Sequence, residues 1–134
     1  MAEPEILWSF PTEGWAKCVS ISKSGEYIAA GSYDGNIYLL DRSGKLIWKY
    51  KTKHRANAVM GIDISPSGEF IAAGTHDGEC CLLNRDKKLL WDFKTEGRFN
   101  AAMCVAVLGE GENIAVGSYD AHVYFLDKNG KKLW

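Results

Sequence analysis

The stretch IAAGSYDGNIYLLDRSGKLIW, from Ile28 to Trp48, returns as IAAGTHDGECCLLNRDKKLLW from Ile71 to Trp91 and as IAVGSYDAHVYFLDKNGKKLW from Ile114 to Trp134. The anchors keep step. Gly25, Gly68 and Gly111 are 43 residues apart, as are Gly31, Gly74 and Gly117, and Trp48, Trp91 and Trp134. A tandem period of this length marks a repeat architecture, so one unit can be read and the reading multiplied.

Working outward from the quoted stretch, each unit resolves into four short strands. YIAAGS, FIAAGT and NIAVGS carry small residues on both faces, which suits close packing between sheets. They lead into YDGN, HDGE and YDAH; Asp-Gly between apolar runs is the strongest short-range hairpin signal. IYLLD, CCLLN and VYFLD follow, continuously apolar, as strands covered on both faces are. The turns RSGK, RDKK and KNGK then introduce a strand bearing Trp, of which the third copy has only the beginning. Upstream, AKCVSIS, VMGIDIS and AMCVAVL supply the first strand of each unit. One element is left over: ILWSFPT, Ile6 to Thr12, copies the Trp strand ahead of the first unit. No window has a helical apolar stripe.

A four-stranded antiparallel meander recurring every 40–45 residues or so is the sign of a β-propeller blade. The predicted fold is all-β, with three four-stranded antiparallel blades in a single segment 1–134 and repeats at about 13–52, 53–95 and 96–134. Propellers close with roughly 4–8 blades, so three leave two sheet faces and a strand edge bare. Ring closure by oligomerisation is therefore expected, as a six-bladed homodimer in preference to a nine-bladed homotrimer. The two ends of the chain are complementary. Outer strand 6–10 of one subunit is expected to complete the third blade of another, through Ile6, Leu7, Trp8 and Phe10 against Val123, Tyr124, Phe125 and Leu126. KKLW at the chain end partly duplicates ILW and competes for that edge. Trp48 and Trp91 are expected to cover the seams between blades.

DRSGKLIW (Asp41 to Trp48) and DKNGKKLW (Asp127 to Trp134) resemble the tryptophan-docking motif of pyrroloquinoline-quinone-type β-propeller repeats, which are related to WD-repeat propellers. NRDKKLLW (Asn84 to Trp91) departs from the motif at both Asp and Gly. The likeness extends from Ile6 to Trp134. In that family the motif is a packing device, so the resemblance implies the fold and does not imply the quinone. The function read from it is a non-enzymatic scaffold that assembles with itself and takes a protein or peptide. The alternatives are a fragment of a quinoprotein-type dehydrogenase and a sugar- or peptide-binding propeller. The first requires more blades, calcium-binding acids and cofactor-stacking residues, none of which this sequence displays.

Sixteen basic and 17 acidic residues, net charge −1, form no long runs and leave no footprint for nucleic acid or an anionic membrane. No apolar run approaches the ~18 residues of a membrane helix, and MAEPEILWSF lacks a signal-peptide pattern. Cys18, Cys80, Cys81 and Cys104 form no CxxC and read as reduced, buried thiols of a cytoplasmic protein.

In such a meander the hairpins between second and third strands share a rim with the loops between units. That rim collects Trp15, Tyr33, Arg55, His76, Arg98, Phe99, Tyr119 and His122, residue types that recognition surfaces use. Asp34, Asp77 and Asp120 are read as hairpin shapers. His54, His76 and His122 lack metal-ligand spacing, and Cys18 and Cys104 have no neighbouring His in the pattern. No catalytic residue, metal or cofactor is predicted. Asp63 is the odd residue, on an inner strand where the other units have Ser20 and Ala106. It is expected to line the central channel in preference to capping a hydrogen-bond network.

Overall fold

The computed structural model describes residues 3–53, 58–96 and 101–134. The strands of the three units form in the predicted order. β1 (Ala16–Ile21), β2 (Tyr27–Ser32), β3 (Asn36–Asp41) and β4 (Leu46–Lys51) make one antiparallel sheet in chain order. β5 (Val59–Ile64), β6 (Phe70–Thr75), β7 (Glu79–Asn84) and β8 (Leu89–Lys94) make the second. The third contains β9 (Ala102–Leu108), β10 (Asn113–Ser118) and β11 (Val123–Asp127), with the chain end beside β11. There a bridge joins Leu126 to Lys132, the Phe125 N–H donates to the Trp134 carbonyl (2.8 Å), and the Leu133 N–H donates to the Phe125 carbonyl (2.7 Å). A fourth strand is thus begun in register. Trp134 faces Phe125 as Trp48 faces Leu39 and Trp91 faces Leu82.

Side-chain oxygens shape the turns. Asp34 Oδ1 accepts from the Asn36 N–H (2.7 Å) and Asp120 Oδ1 from the His122 N–H (3.0 Å). Gly35 and Gly78 supply the positive φ of their hairpins, and where YDAH lacks the glycine Ala121 is held at φ 68°. In the turns before the Trp strands, Asp41 and Asp127 each accept from two backbone N–H groups. Asn84 does the same for Asp86 and Lys88 with its amide oxygen. The departure at Asn84 is therefore harmless, because the turn needs an acceptor and not a charge.

The sheets stack as blades. Ala29, Ile37, Leu39 and Trp48 of the first close against Ile62, Ile64, Ile71, Ala73 and Leu83 of the second. The opposite face of the second, with Ala72, Cys80 and Leu82, meets Ile114, Val116, Tyr124 and Leu126 of the third. The middle blade is thus covered on both sides, which is why β6 and β7 are apolar at nearly every position. Close approach requires glycine at Gly61, where a Cβ would lie 2.7 Å from Cys104 Cα.

The tryptophans lock the seams by one repeated contact. Trp48 Nε1–H donates to the Arg85 carbonyl (2.7 Å) in the turn of the next blade, and Trp91 Nε1–H donates to the Lys128 carbonyl (3.0 Å). Trp8 makes the same contact with the Arg42 carbonyl (2.9 Å) of the first blade. The residues around Trp8 form no strand, yet its side chain occupies the place of an outer-strand Trp belonging to a preceding blade. Trp48 and Trp91 therefore cover seams as expected.

Asp63 corrects a sequence expectation. Its carboxylate reaches both neighbouring blades: Oδ1 accepts from Ser20 Oγ (2.9 Å) and from the Ile64 N–H (2.9 Å), and Oδ2 accepts from the Val107 N–H (2.7 Å). It ties the inner strands of three blades together and belongs to a hydrogen-bond network. The cysteine reading also needs amending. Cys80 and Cys81 are buried, but Cys104 is exposed because no blade covers its face of β9.

Candidate functional site

Packing of the seams leaves two kinds of surface, the flanks of the end blades and the rim of hairpin turns. On the first flank Val19 and Ile21 are 68% and 60% exposed, although Ile62 and Ile64, at the same places in the second blade, are buried in a seam. Trp8 docks on its turn and Phe10 sets its ring edge-on to Tyr38 at 5.9 Å, so only the outer part of this face is covered. A cavity of about 270 Å³ remains beside them, lined by Cys18, Val19, Ile28, Ala30 and neighbours. On the far flank Val123 is exposed and Trp134, 66% exposed, stacks on Phe125 with ring centroids 5.3 Å apart. The equivalents of Val123 and Phe125 in the first blade, Ile37 and Leu39, are fully buried.

The residues predicted to join copies are thus divided. Ile6 and Leu7 are 87% exposed, and Val123 and Phe125 face the open flank. Tyr124 and Leu126 do not: alternation along β11 turns their side chains into the seam with the second blade, so they offer only backbone at that edge. Trp8 and Phe10 are engaged on their own first blade.

On the rim, Tyr33, His76 and Tyr119 occupy matching places on successive blades, each N–H donating to the carbonyl that precedes the inner strand: Trp15, Ala58 and Ala101. Trp15 and Tyr33 are brought into direct contact, edge to face at 5.7 Å, with Trp15 79% exposed. His122 folds back over its own hairpin, its Nδ1 2.9 Å from the Asp120 carbonyl. Arg55, Arg98 and Phe99 lie outside the described residues. Among the described residues no group of His, Cys, Asp and Glu has the arrangement of a metal site.

The rim acids are engaged in structure. Tyr38 OH donates to Asp34 Oδ2 (2.7 Å) and accepts from the Glu13 N–H (3.1 Å). Tyr124 OH repeats this with Asp120 and the Glu96 N–H. Burial pushes the carboxyl groups of Asp34 and Asp120 up, but the phenol and backbone donors outweigh it and hold both below the usual carboxylate range. Burial and then the adjacent carboxylate raise the two phenols.

Two features had only a faint sequence signal. Arg85 lies 4.5 Å from the Tyr27 ring centroid, donates to Tyr27 OH (2.7 Å) and to Glu69 (2.5 Å), and so clamps the outer first seam. Cys81 stands where the other blades have tyrosine, visible only by aligning CCLLN with IYLLD and VYFLD.

A family model described as the lambda-carrageenase beta-propeller domain matches residues 27–134, and the WD domain, G-beta repeat, matches residues 5–41. The chain belongs to the lambda-carrageenase β-propeller domain family. The second match carries the WD-repeat-like side of the resemblance drawn from the sequence. No curated protein matches this sequence. Among solved structures, the crystal structure of RRP9 WD40 repeats aligns at a TM-score of 0.82 and 15% identity, covering 93% of this chain and 39% of that one. At that identity the likeness is one of fold, and this chain spans well under half the length of that WD40 structure.

Proposed function

We propose that this chain is a non-catalytic propeller module that completes its ring with further copies of itself and presents the assembled rim to protein or peptide partners, the use to which WD-repeat propellers are typically put. The observation that carries the reading is Trp8. Its indole makes on the first blade the contact that Trp48 and Trp91 make on the blades after them. On this reading residues 6–10 serve as the outer strand of a neighbouring blade, and β9–β11 of a second copy supply the rest of it. The exposed positions on the two flanks are those buried at the internal seams, so a blade of this same kind fits each. A six-bladed dimer is favoured over a nine-bladed trimer.

Trp8 and Trp134 claim the same place in the closing seam. Trp8 is docked with its N–H bonded, whereas Trp134 leaves most of its ring in solvent. On this reading residues 131–134 give way to the incoming strand. The quinone-type resemblance of the docking motif is then one of packing alone. The acids Asp34, Asp63 and Asp120 are committed to hydrogen bonds that hold the fold, which favours a scaffold over an enzyme. A reducing, cytoplasmic setting fits the four free thiols.

Native mass spectrometry of the full chain should give twice its 14.9 kDa mass; three times would indicate the trimer. Deleting residues 1–10 should abolish the ring, and deleting 131–134 should leave it intact. A folded full-length monomer sinks the proposal.

A second reading, a sugar- or peptide-binding rim, draws on the exposed Trp15–Tyr33 pair and on a family named for a carrageenase. Trp15→Ala and Tyr33→Ala should then abolish carbohydrate or peptide binding with the melting temperature unchanged. Equal loss of both would assign the pair to structure.

A further inference from the structure

The three blades are built alike at one point on the outer half of each seam, except that the middle blade has a gap. In the first blade the Tyr38 ring sits edge-on to Phe10 (5.9 Å), and its hydroxyl lies between Asp34 and the Glu13 N–H. In the third, Tyr124 sits against Phe93 (5.5 Å), and its hydroxyl lies between Asp120 and the Glu96 N–H. The repeat register assigns the same four places in the middle blade to Cys81, Tyr50, Asp77 and Lys53. The aromatic wall, the hairpin acid and the loop backbone are all retained. Only the phenol ring has gone, replaced by a thiol.

The space it would fill is present. A cavity of about 190 Å³ opens at this seam, with Tyr50, Thr52, Thr75, Glu79, Cys81 and Leu89 on its walls. An apolar cavity of about 150 Å³ is enough to hold benzene, so this one accommodates a ring with one or two small substituents. Burial, followed by the nearby Glu79 and Asp92 charges, pushes the Cys81 thiol up to about 12. The floor of the cavity is therefore neutral at physiological pH. Apolar surface makes up most of the wall, with Lys53, Glu79 and Asp92 also among the lining residues; the Thr52 hydroxyl donates to the Gly35 carbonyl (2.7 Å) and the Thr75 hydroxyl to Asp77 Oδ1 (2.6 Å).

We propose that this cavity is a binding site for a small para-substituted phenol, seated as the Tyr38 and Tyr124 side chains are seated in the flanking blades. The ring lies against Tyr50 and over Cys81, and the hydroxyl points toward the hairpin of Asp77 and the loop at Lys53. The para substituent points back along the line that a tyrosine Cβ would take. An aliphatic alcohol of equal size lacks the edge-to-face contact with Tyr50, and toluene lacks the hydroxyl, so both are discriminated against.

The test uses the full chain and p-cresol, with binding followed by amide shifts in ¹H–¹⁵N spectra. Saturable changes centred on Tyr50, Thr75 and Cys81 are expected, with toluene and cyclohexanol each binding several-fold more weakly. Cys81→Tyr supplies the missing ring from the chain itself and should weaken p-cresol binding at least tenfold. Cys81→Phe fills the same volume without a hydroxyl and serves if the tyrosine variant does not fold. Shifts that do not saturate, that centre elsewhere, or that persist with wild-type affinity in the filled variants overturn the assignment. Equal binding of all three probes to the wild type overturns it without any variant.

Discussion

Asp63→Ala removes the carboxylate shared by three blades, and its cost can be worked from the contacts. Three donors converge on Asp63: Ser20 Oγ of the first blade, the Ile64 N–H of its own, and the Val107 N–H of the third. The Ile64 N–H also reaches Ser20 Oγ at 3.3 Å, so it keeps an acceptor when the carboxylate goes. Two bonds are then lost outright. A hydrogen bond to a charged group nets roughly 1.5–3 kcal/mol, and a part-buried site belongs at the low end, giving about 3 kcal/mol for Asp63→Ala. Asp63→Asn keeps the shape but has one acceptor oxygen for donors arriving on two sides; its cost should be about half, ~1.5 kcal/mol. Because Ser20 acts through Asp63, Ser20→Ala and Asp63→Ala should be non-additive, with a coupling of about 1 kcal/mol. Urea denaturation supplies these numbers, provided every variant is measured at one protein concentration, since any self-association would make stability concentration-dependent. An Asp63→Ala cost below about 0.5 kcal/mol would be that of an ordinary surface change. That result, or strict additivity with Ser20→Ala, would refute the account and return Asp63 to the channel wall.

Ala121 and Lys87 hold positive φ where sister blades have glycine. Ala121→Gly and Lys87→Gly should each raise stability by about 0.5–1 kcal/mol, the left-handed strain relieved less the entropy glycine adds to the unfolded chain; calorimetry that finds either variant destabilised contradicts this. Trp48→Ala should cost ~3–5 kcal/mol by denaturation, whereas Trp134→Ala, with a ring mostly in solvent, should cost less than about 1 kcal/mol. The pH profile should have two shoulders. The lowered Asp34 and Asp120 groups contribute stability that is present above the ordinary carboxylate range and is lost as pH falls through their folded values. The raised Tyr38 and Tyr124 phenols contribute stability that is present below the ordinary tyrosine value and is lost as pH rises through theirs. In Tyr38→Phe/Tyr124→Phe both shoulders should shrink together, because each phenol–carboxylate bond underlies both; an unchanged alkaline shoulder rules that out.

The fold was legible because every unit repeats its own evidence. A single IYLLD could be a buried helix segment, but the same run behind an Asp-Gly turn and ahead of a Trp strand, in triplicate, admits only a blade. Turn chemistry was equally plain, and the substitution that looked damaging, Asn84 for Asp, preserves the acceptor the turn uses. What sequence could not give was direction across a seam. Asp63 alternates on an inner strand, so pattern alone shows which face it takes but not that Ser20 and Val107 arrive within bonding distance. Cys81 was visible as a residue and invisible as a hole, because a cavity is a relation between a missing ring and walls contributed by Tyr50 and Leu89 from other strands. Of the rim residues that the structure describes, Trp15, Tyr33, His76, Tyr119 and His122 are exposed; a ring contact joins Trp15 to Tyr33, His76 stands on the next blade, and Tyr119 and His122 share the hairpin of the third.

The seams are alike in their apolar residues and differ in their charges, and that difference bears on which blade follows which. Glu13 pairs with Lys49 on the first blade (2.6 Å), while at the same two places on the next seam Lys53 pairs with Asp92 (3.4 Å). The signs are reversed. Exposed pairs of this kind contribute little to stability, about 0–1 kcal/mol, so the swap is poorly explained as reinforcement. It matters for mispairing. If the segment bearing Trp8 docked on the second blade, Glu13 would face Asp92, like against like, and the Lys53 strand displaced onto the first blade would meet Lys49. Near-identical blades share one apolar code, which alone permits any blade to follow any other; the reversed pair penalises the out-of-turn arrangements. Order between the first and second blades is thereby marked in exposed charges, while the third blade, where Glu96 pairs with Lys132 (2.9 Å), repeats the signs of the first.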